Sequence, residues 1–350
     1  MKPNKRILIA PLNWGLGHAT RCIPIINALI AHQFEPVIAS DGIALSLLKK
    51  EFPQLESYEL PSYHITYPKK GEHFKLKMLK SSPKMMKAIK AEKKMVATII
   101  ESHNINGIIS DNRLGVYNKN LPCVFITHQL QVLSGNTTWL STKLHQKIIK
   151  RFQECWVPDN LGDANLSGKL GHTHMYEMPI KFIGPLSRFT KSDVPATYDV
   201  MVLLSGPEPQ RSLLEEKLMS EFLKFKGKVI FVRGVVENDC HSYKKGNLSV
   251  YNYMTSSQLE TAINESALVV SRSGYTTIMD LAKLNKKAFF IPTPGQFEQE
   301  YLAKRLTNLG YVPSCTQDEF TIEMLETAST YKGLSVMDYE VNYNKLFGLF

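Results

Sequence analysis

Short apolar runs alternate with amphipathic stretches along most of the chain. Arg6–Pro11 (RILIAP) and Glu35–Ser40 (EPVIAS) read as strands. Between them Ala19–Ile30 carries Ile23, Ile26, Ala28, Leu29 and Ile30 at helical spacing. A strand, helix, strand unit of this length predicts a parallel pair, because parallel strands need a crossover of a dozen or more residues. The pattern continues with a helix over Gly42–Phe52 and a basic helical region to about Glu101, in which Pro83 is expected to open a second helix. Strands follow at Gly107–Asp111, Pro122–Thr127 and Glu154–Pro158, the last expected to close the sheet. Lys181–Phe189 reads as a short strand broken by Gly-Pro, and the polar run to Thr197 reads as a linker. A second set begins at Asp199–Ser205, with a helix at 211–225, strands at Lys228–Arg233 and Leu248–Tyr251, and a helix at 257–265. Its last unit is a strand, Ala267–Ser271, a helix from about Thr276 with Ile278, Leu281, Ala282 and Leu284 on one face, and a strand, Ala288–Ile291, stopped by Pro292 and Pro294. No repeat of fixed period is visible. The expected class is α/β: two doubly wound, Rossmann-like domains at 1–186 and 187–333. The segment 334–350 reads as helical, and its apolar end (Phe347, Leu349, Phe350) is expected to pack back on the first domain.

Composition narrows this picture. The chain has 350 residues, which suits two domains, and 43% hydrophobic residues, enough for real cores. No apolar stretch of roughly 18 residues occurs, so no transmembrane helix is expected. The basic N-terminus precedes only a short apolar run, which reads as a first strand and not a signal peptide. Cys22, Cys123, Cys155, Cys240 and Cys315 are scattered, so free thiols in a reducing cytoplasm are expected, with no metal site. The net charge of +10 favours anionic partners. Lysine crowds Lys69–Lys94, interleaved with Phe74, Leu76, Met78, Leu79, Met85, Met86 and Ile89. That pattern suits a surface helix pair, either simply solvated or resting on an anionic membrane face. Nucleic acid is not an expected partner, since no helix-turn-helix, aromatic RNA-binding stripe or zinc finger is visible.

Candidate chemistry gathers at the carboxyl ends of the expected strands, where open α/β sheets bind ligands. After the first strand comes Asn13–Arg21 (NWGLGHATR). Gly15 and Gly17 allow close backbone approach, but Thr20 stands where a dinucleotide fingerprint needs its third glycine, so a nicotinamide cofactor is not expected. His18 lies near a helix N-terminus, where the dipole favours the neutral, proton-accepting imidazole; it is either a general base or a bracing residue. Asp111, with Asn112 and Arg113, and the run His128 to Gln131 end two further strands. In the second half Ser273, Gly274, Thr276 and Thr277 sit at a helix start suited to phosphate, or simply to capping. Asp280 stands one turn further in, placed for a ribose hydroxyl, and Gln299 and Glu300 open the next helix.

Two tandem doubly wound domains, with NWGLGH early and SRSGYTTIMD and FEQEY late, resemble the GT-B glycosyltransferases. The nearest resemblance is to the family 28, MurG-like group, which moves N-acetylglucosamine from UDP onto an undecaprenyl-linked muramyl acceptor. The resemblance implies two domains facing across a cleft. It makes His18 the base at the acceptor hydroxyl, with Gly15, Gly17, Asp111, His128 and Gln131 on the acceptor side. It places Ser205, Gly206, Arg272, Ser273, Gly274, Thr276 and Thr277 at the donor diphosphate, Asp280 at the ribose, Gln299 and Glu300 at the donor sugar, and Tyr253 and Met254 near the base. Arg272 and the helix start would stabilise the leaving group without a metal, there being no Asp-x-Asp pair. The implied function is inverting transfer from a UDP-sugar, as co-substrate and without other cofactor, to a glycan or lipid-linked acceptor. The implied place is cell-envelope assembly in the cytoplasm, peripheral at the inner face of the membrane. Gly-Leu-Gly-His, His-Gln-Leu-Gln and Ser-Gly-Pro-Glu-Pro all depart from the MurG loops and leave the acceptor unassigned. Two alternatives stay open: a hydrolysing UDP-sugar 2-epimerase, with Asp111 as one of its carboxylates, and a nucleotide-sugar-binding protein without catalysis.

Overall fold

The hub of the first sheet is β1 (Arg6–Pro11), whose Ile7, Leu8, Ile9 and Ala10 are fully buried, as a strand covered on both faces must be. The computed structural model describes residues 4–63, 74–173, 178–206, 208–235, 237, 239–334 and 341–350, with 74–83 described by backbone alone. After β1 come α1 (Gly17–Ala31), β2 (Glu35–Ser40), α2 (Gly42–Glu51), β3 (Ser57–Glu59), α3 (Phe74–His103), β4 (Ile105–Asp111), β5 (Cys123–Ile126), α4 (Thr138–Ile149), β6 (Glu154–Val157) and β7 (Ile180–Phe182). The strands pair in parallel in the order β3-β2-β1-β4-β5-β6-β7. Val96 and Ile99 of α3 and Ile149 of α4 share one core with Leu8, Val37, Ile108, Phe125 and Cys155, so α3 and α4 cover the same face of the sheet.

The second unit starts at Ser187. It runs β8 (Tyr198–Leu203), α5 (Gln210–Phe222), β9 (Val229–Val232), β10 (Ser242–Lys245), β11 (Leu248–Tyr251), α6 (Ser256–Asn264), β12 (Ser266–Ser271), α7 (Tyr275–Lys283), β13 (Lys287–Phe290) and α8 (Phe297–Asn308). Its sheet order is β10-β11-β9-β8-β12-β13, with β10 antiparallel to β11 and the other pairs parallel. A core of Val202, Phe231, Val250, Val270 and Phe289 is covered by Leu214, Leu218 and Phe222 of α5 and by Phe320. The last helix, α9 (Tyr343–Phe347), belongs to the first unit. There the Phe347 ring stands 5.3 Å from His32, 5.6 Å from Phe34 and 6.4 Å from Trp156.

Several expectations need correction. Pro83 opens no second helix: α3 is one helix of 30 residues that contains it. A proline removes one backbone bond from a helix, and the turns on either side carry the rest; Pro24 is likewise accommodated inside α1. The side chains of 74–83, and all of 64–73, lie outside the described residues, so much of the lysine-rich stretch does too. Glu154–Val157 does not close the first sheet, because β7 pairs beyond it. Among the described residues of the final segment, helix is confined to α9, and 335–340 lie outside the described residues. Strands β3 and β10 were not anticipated; both are short, polar edge strands without a buried residue, and so carry no apolar signal.

Among the described residues no helix is long and apolar enough to cross a membrane. Phe347 is 4% exposed, and Phe347→Ala is expected to destabilise the first unit by about 3–5 kcal/mol. Urea unfolding followed by tryptophan fluorescence and circular dichroism checks this; an unchanged midpoint would show that α9 is not part of that core.

Candidate functional site

The carboxyl ends of β1, β4 and β5 are neighbours, with Pro11 in register with Asp111 and Asp111 with Ile126. Adjacent strand ends bring together residues distant in sequence. Asp111, fully buried as the last residue of β4, receives both edges of the Arg21 guanidinium, Nε to Oδ2 at 2.5 Å and Nη2 to Oδ1. Its Oδ1 also lies 2.8 Å from His18 Nδ1. Arg21 Nη1 donates to His128 Nδ1 at 3.1 Å, and the Cys22 thiol donates to Oδ2. His18 and Arg21 lie three residues apart, on one face of the first turns of α1.

This geometry decides the proton positions. Burial alone would raise the Asp111 carboxyl, but the Arg21 and His18 charges and hydrogen bonds outweigh it and hold the group well below the usual carboxylate range. Asp111 is therefore ionised and can only accept. The hydrogen between it and His18 belongs to Nδ1, which leaves the Nε2 lone pair available. Arg21 Nη2, also 2.8 Å from Nδ1, is then bonded to the carboxylate and merely abuts the ring. Burial lowers the His18 pKa; Asp111 opposes this, while Arg21 and His128 add to it. The imidazole is neutral at neutral pH, aimed by a carboxylate, with one basic nitrogen and a side chain 12% exposed. That is the arrangement of a general base.

Asp111 was expected on the acceptor side. It has no reach to a ligand, since both oxygens are taken, and it acts as the positioning residue for His18. His128, 5% exposed, is likewise drawn into the Arg21 network. Gly15 has φ +76° with open space around it, so it shapes the loop, whereas Gly17 is simply the first residue of α1. Gln131 donates its backbone N–H to the Leu170 carbonyl. Sequence reasoning missed Arg21; its signal was a lone cation in an otherwise apolar helix, three residues after a histidine. It also missed a second buried network. Arg113 binds Asp41 Oδ1 at 2.7 Å, Glu92 Oε1 at 2.5 Å and the Pro61 carbonyl, tying α3 to the ends of β2 and β4.

In the second unit, Ser271 at the end of β12 is in register with Leu203 at the end of β8. The exposed loop at Ser205 and Gly206 and the start of α7 thus leave adjacent strands. Gly206, at φ +106°, has nothing within 4 Å of a built Cβ, and such a loop lets a ligand approach the backbone. Gly274 caps α7, with Thr276 and Thr277 half-exposed in its first turn, where backbone N–H groups point outward. Two neighbours lie differently from expectation. Ser273 is fully buried and donates to the Gln299 carbonyl at 2.8 Å. Arg272 is 2% exposed and spends its guanidinium on the carbonyls of Ile291, Pro292 and Gln210 and on Gln317 Oε1. It is not a hand laid on a phosphate. It is a buried cation behind the helix start, pushed down to about 9 by burial, and no described carboxylate pairs with it.

Gln299 and Glu300 brace the loop before α8, with Gln299 Oε1 accepting from Thr293 N at 2.9 Å and Glu300 Oε1 from Gly295 N at 2.8 Å. Tyr253 and Met254 are half-exposed just beyond β11. Asp280 Oδ1 accepts from Ser187 Oγ at 2.6 Å. Burial pushes its carboxyl up to about 6, despite Arg188 and Ser187.

Two α/β units, each built mainly of parallel strands, give the chain the GT-B fold of the solved glycosyltransferases it superposes on. More particularly, residues 211–332 match the glycosyltransferase family 28 C-terminal domain. It is 25% identical over 213 residues to the UDP-N-acetylglucosamine--N-acetylmuramyl-(pentapeptide) pyrophosphoryl-undecaprenol N-acetylglucosamine transferase of Haemophilus ducreyi, covering 59% of this chain and 56% of that one. The match thus spans just over half the length of this relative. An uncharacterized glycosyltransferase of Methanopyrus kandleri is 22% identical over 346 residues, covering 91% of this chain and 93% of its own. The crystal structure of the kitacinnamycin glycosyltransferase superposes with a TM-score of 0.65 at 14% identity, covering 100% of this chain and 94% of that one.

An acid whose pKa is raised in the fold stabilises it fully below the unfolded value near 3.8, and that contribution is lost as pH rises through about 6. Asp280→Asn is therefore expected to raise the melting temperature at pH 7.5, with the gain shrinking toward pH 5. A variant that melts lower at pH 7.5 would show that the ionised form is the one the fold favours.

Proposed function

We propose that this chain is an inverting glycosyltransferase that moves a sugar from a UDP-linked donor to a hydroxyl of a lipid-linked acceptor, at the inner face of the membrane. The observation that carries the reading is the 2.8 Å pairing of His18 Nδ1 with the ionised Asp111, which leaves Nε2 as the base. The name of the Haemophilus ducreyi relative supports UDP-N-acetylglucosamine as the donor to try first. In the proposed step Nε2 takes the acceptor hydroxyl proton as the oxygen attacks the anomeric carbon. The bond from that carbon to the diphosphate oxygen breaks, and UDP leaves with the electron pair. The start of α7 and the Gly206 loop receive the diphosphate through backbone N–H groups. Arg272 contributes field from behind and Asp280 a ribose contact. Gln299 holds the loop through Oε1 and offers its amide Nε2 to the donor sugar.

The epimerase reading is less well supported, because Asp111, the carboxylate it would use, is committed to Arg21 and His18. A binding protein without catalysis would have no use for an oriented, neutral imidazole.

With UDP-N-acetylglucosamine and an undecaprenyl-linked or simple glycoside acceptor, His18→Ala is expected to lower kcat by about 100- to 10,000-fold. The wild-type rate should fall as pH drops through a value below 6.5, the direction in which the His18 pKa is shifted. Wild-type turnover by His18→Ala would refute the base assignment. UDP release without an acceptor, retained in the variant, would favour hydrolysis.

A further inference from the structure

Residues 14–16 form the loop between β1 and His18, and the turn after β4 holds both of its ends. At the far end Asp111 fixes the His18 ring. At the near end the hold is indirect. Arg113 Nη1 donates to Asp41 Oδ1 at 2.7 Å, and Asn13 Nδ2 donates to Asp41 Oδ2 at 3.0 Å. Only Asn112 separates Asp111 from Arg113; its φ of +57° turns the chain there, a conformation that asparagine tolerates. Ser110 Oγ fastens the turn by donating to the Arg113 carbonyl at 2.7 Å.

Two features mark the Asp41 link as more than packing. Asp41 stands at the N-cap of α2, yet its side chain makes no cap bond. The cap comes from the loop instead, where Asn13 Oδ1 accepts from Ala44 N at 3.4 Å. Both Asp41 oxygens are thereby directed to Asn13 and Arg113. The Arg113 end is also rigid. Its Nε donates to Glu92 Oε1 at 2.5 Å and its Nη2 to the Pro61 carbonyl at 2.8 Å. Glu92 Oε2 in turn accepts from the Tyr63 hydroxyl at 2.6 Å and from Gly115 N at 2.8 Å. Arg113 and Glu92 are fully buried, and Asp41 is nearly so. An ion cluster this deep adds little stability over apolar packing of the same volume, but any partner left alone would be a buried charge, so the set keeps one geometry. What it carries is a half-buried loop with open space beside Gly15.

We propose that Arg113, Asp41 and Asn13 form a positioning relay for loop 14–16, and that the relay sets where the acceptor rests against His18. None of the three is a catalytic residue; each acts through the loop. The proposal rests on the transferase reading and deepens it on the acceptor side. Asp111 governs the ring and its proton, whereas the relay governs the backbone beside which the hydroxyl must approach. The two roles therefore separate in experiment. A reacting group displaced by about 1 Å can lose on the order of 100-fold in rate, which is the scale on which such a brace acts.

The test exchanges the two side chains in the full chain. Asp41→Asn sets donor against donor, at Asn13 or, if that amide turns over, at Ala44 N. Asn13→Asp sets carboxylate against carboxylate. The two together restore the set: the amide at 41 accepts from Arg113 and donates to the carboxylate at 13, whose other oxygen accepts from Ala44 N. Asn13→Ala cuts the link and leaves Arg113 paired with Asp41. With UDP-N-acetylglucosamine and a simple glycoside acceptor, each single variant is expected to raise the acceptor KM about 10- to 100-fold and to leave the donor KM within about twofold. The exchange should return the acceptor KM to within about threefold of wild type. Histidine NMR should show the His18 proton on Nδ1 in all four variants. In the ¹⁵N-tryptophan-labelled chain, the Trp14 indole signal should broaden or split in the single variants and sharpen again in the exchange, a readout that needs no turnover. A wild-type acceptor KM in Asn13→Ala overturns the relay, as does a folded exchange variant no better than the singles. Equal losses in donor and acceptor KM also overturn it, since that is the mark of a general structural role. If the wild-type chain transfers no sugar, the transferase reading falls by itself. The Trp14 signal then decides the relay: unchanged in Asp41→Asn and Asn13→Ala it overturns it, and loosened and restored it upholds it.

Discussion

One buried carboxylate organises the His18 end of the first unit. Asp111 closes β4 inside the protein, and an ionised acid there is stable only while Arg21 grips it. That grip fixes three things together: the charge on Asp111, the direction of the His18 ring, and the nitrogen on which its proton sits. Removing Arg21 would leave a buried anion with only a neutral histidine to face. Removing Asp111 would leave a buried cation pressed against two imidazoles. The helix supplies the coupling, since His18 and Arg21 sit one turn apart and the strand end supplies their common partner. The aim of the His18 ring and local stability are therefore the same interaction.

The second unit solves a different problem by different means. At the start of α7 positive potential comes from peptide groups and not from an exposed cationic side chain. Arg272 is withdrawn into carbonyls and acts at a distance. Ser273, which looked like a phosphate ligand, is used to fasten α7 to α8 through the Gln299 carbonyl. What remains at the surface is backbone, small side chains and a glycine loop. Such a site suits a nucleotide diphosphate without naming the sugar attached to it.

Much of this was legible in the sequence. Buried parallel strands write themselves as apolar runs, and β1, β2, β6 and β12 lie within a residue or so of where those runs fall. Strand ends could be located, so His18, Asp111 and His128 could be named as site residues. Their roles could not be assigned, because a carboxylate at a strand end looks the same whether it faces a ligand or an arginine one helix away. Arg21 and the Arg113 network were hidden for that reason. Pairing across the fold is not a property of spacing along the chain. The short edge strands were hidden for the opposite reason, having no buried face to leave a pattern.

Histidine NMR on the ¹⁵N-labelled wild-type chain tests the central claim most directly. The account predicts that the His18 ring is protonated at Nδ1 and unprotonated at Nε2 at pH 7, with a titration midpoint below 6.5. A ring protonated at Nε2, or one still doubly protonated at pH 7, would contradict it.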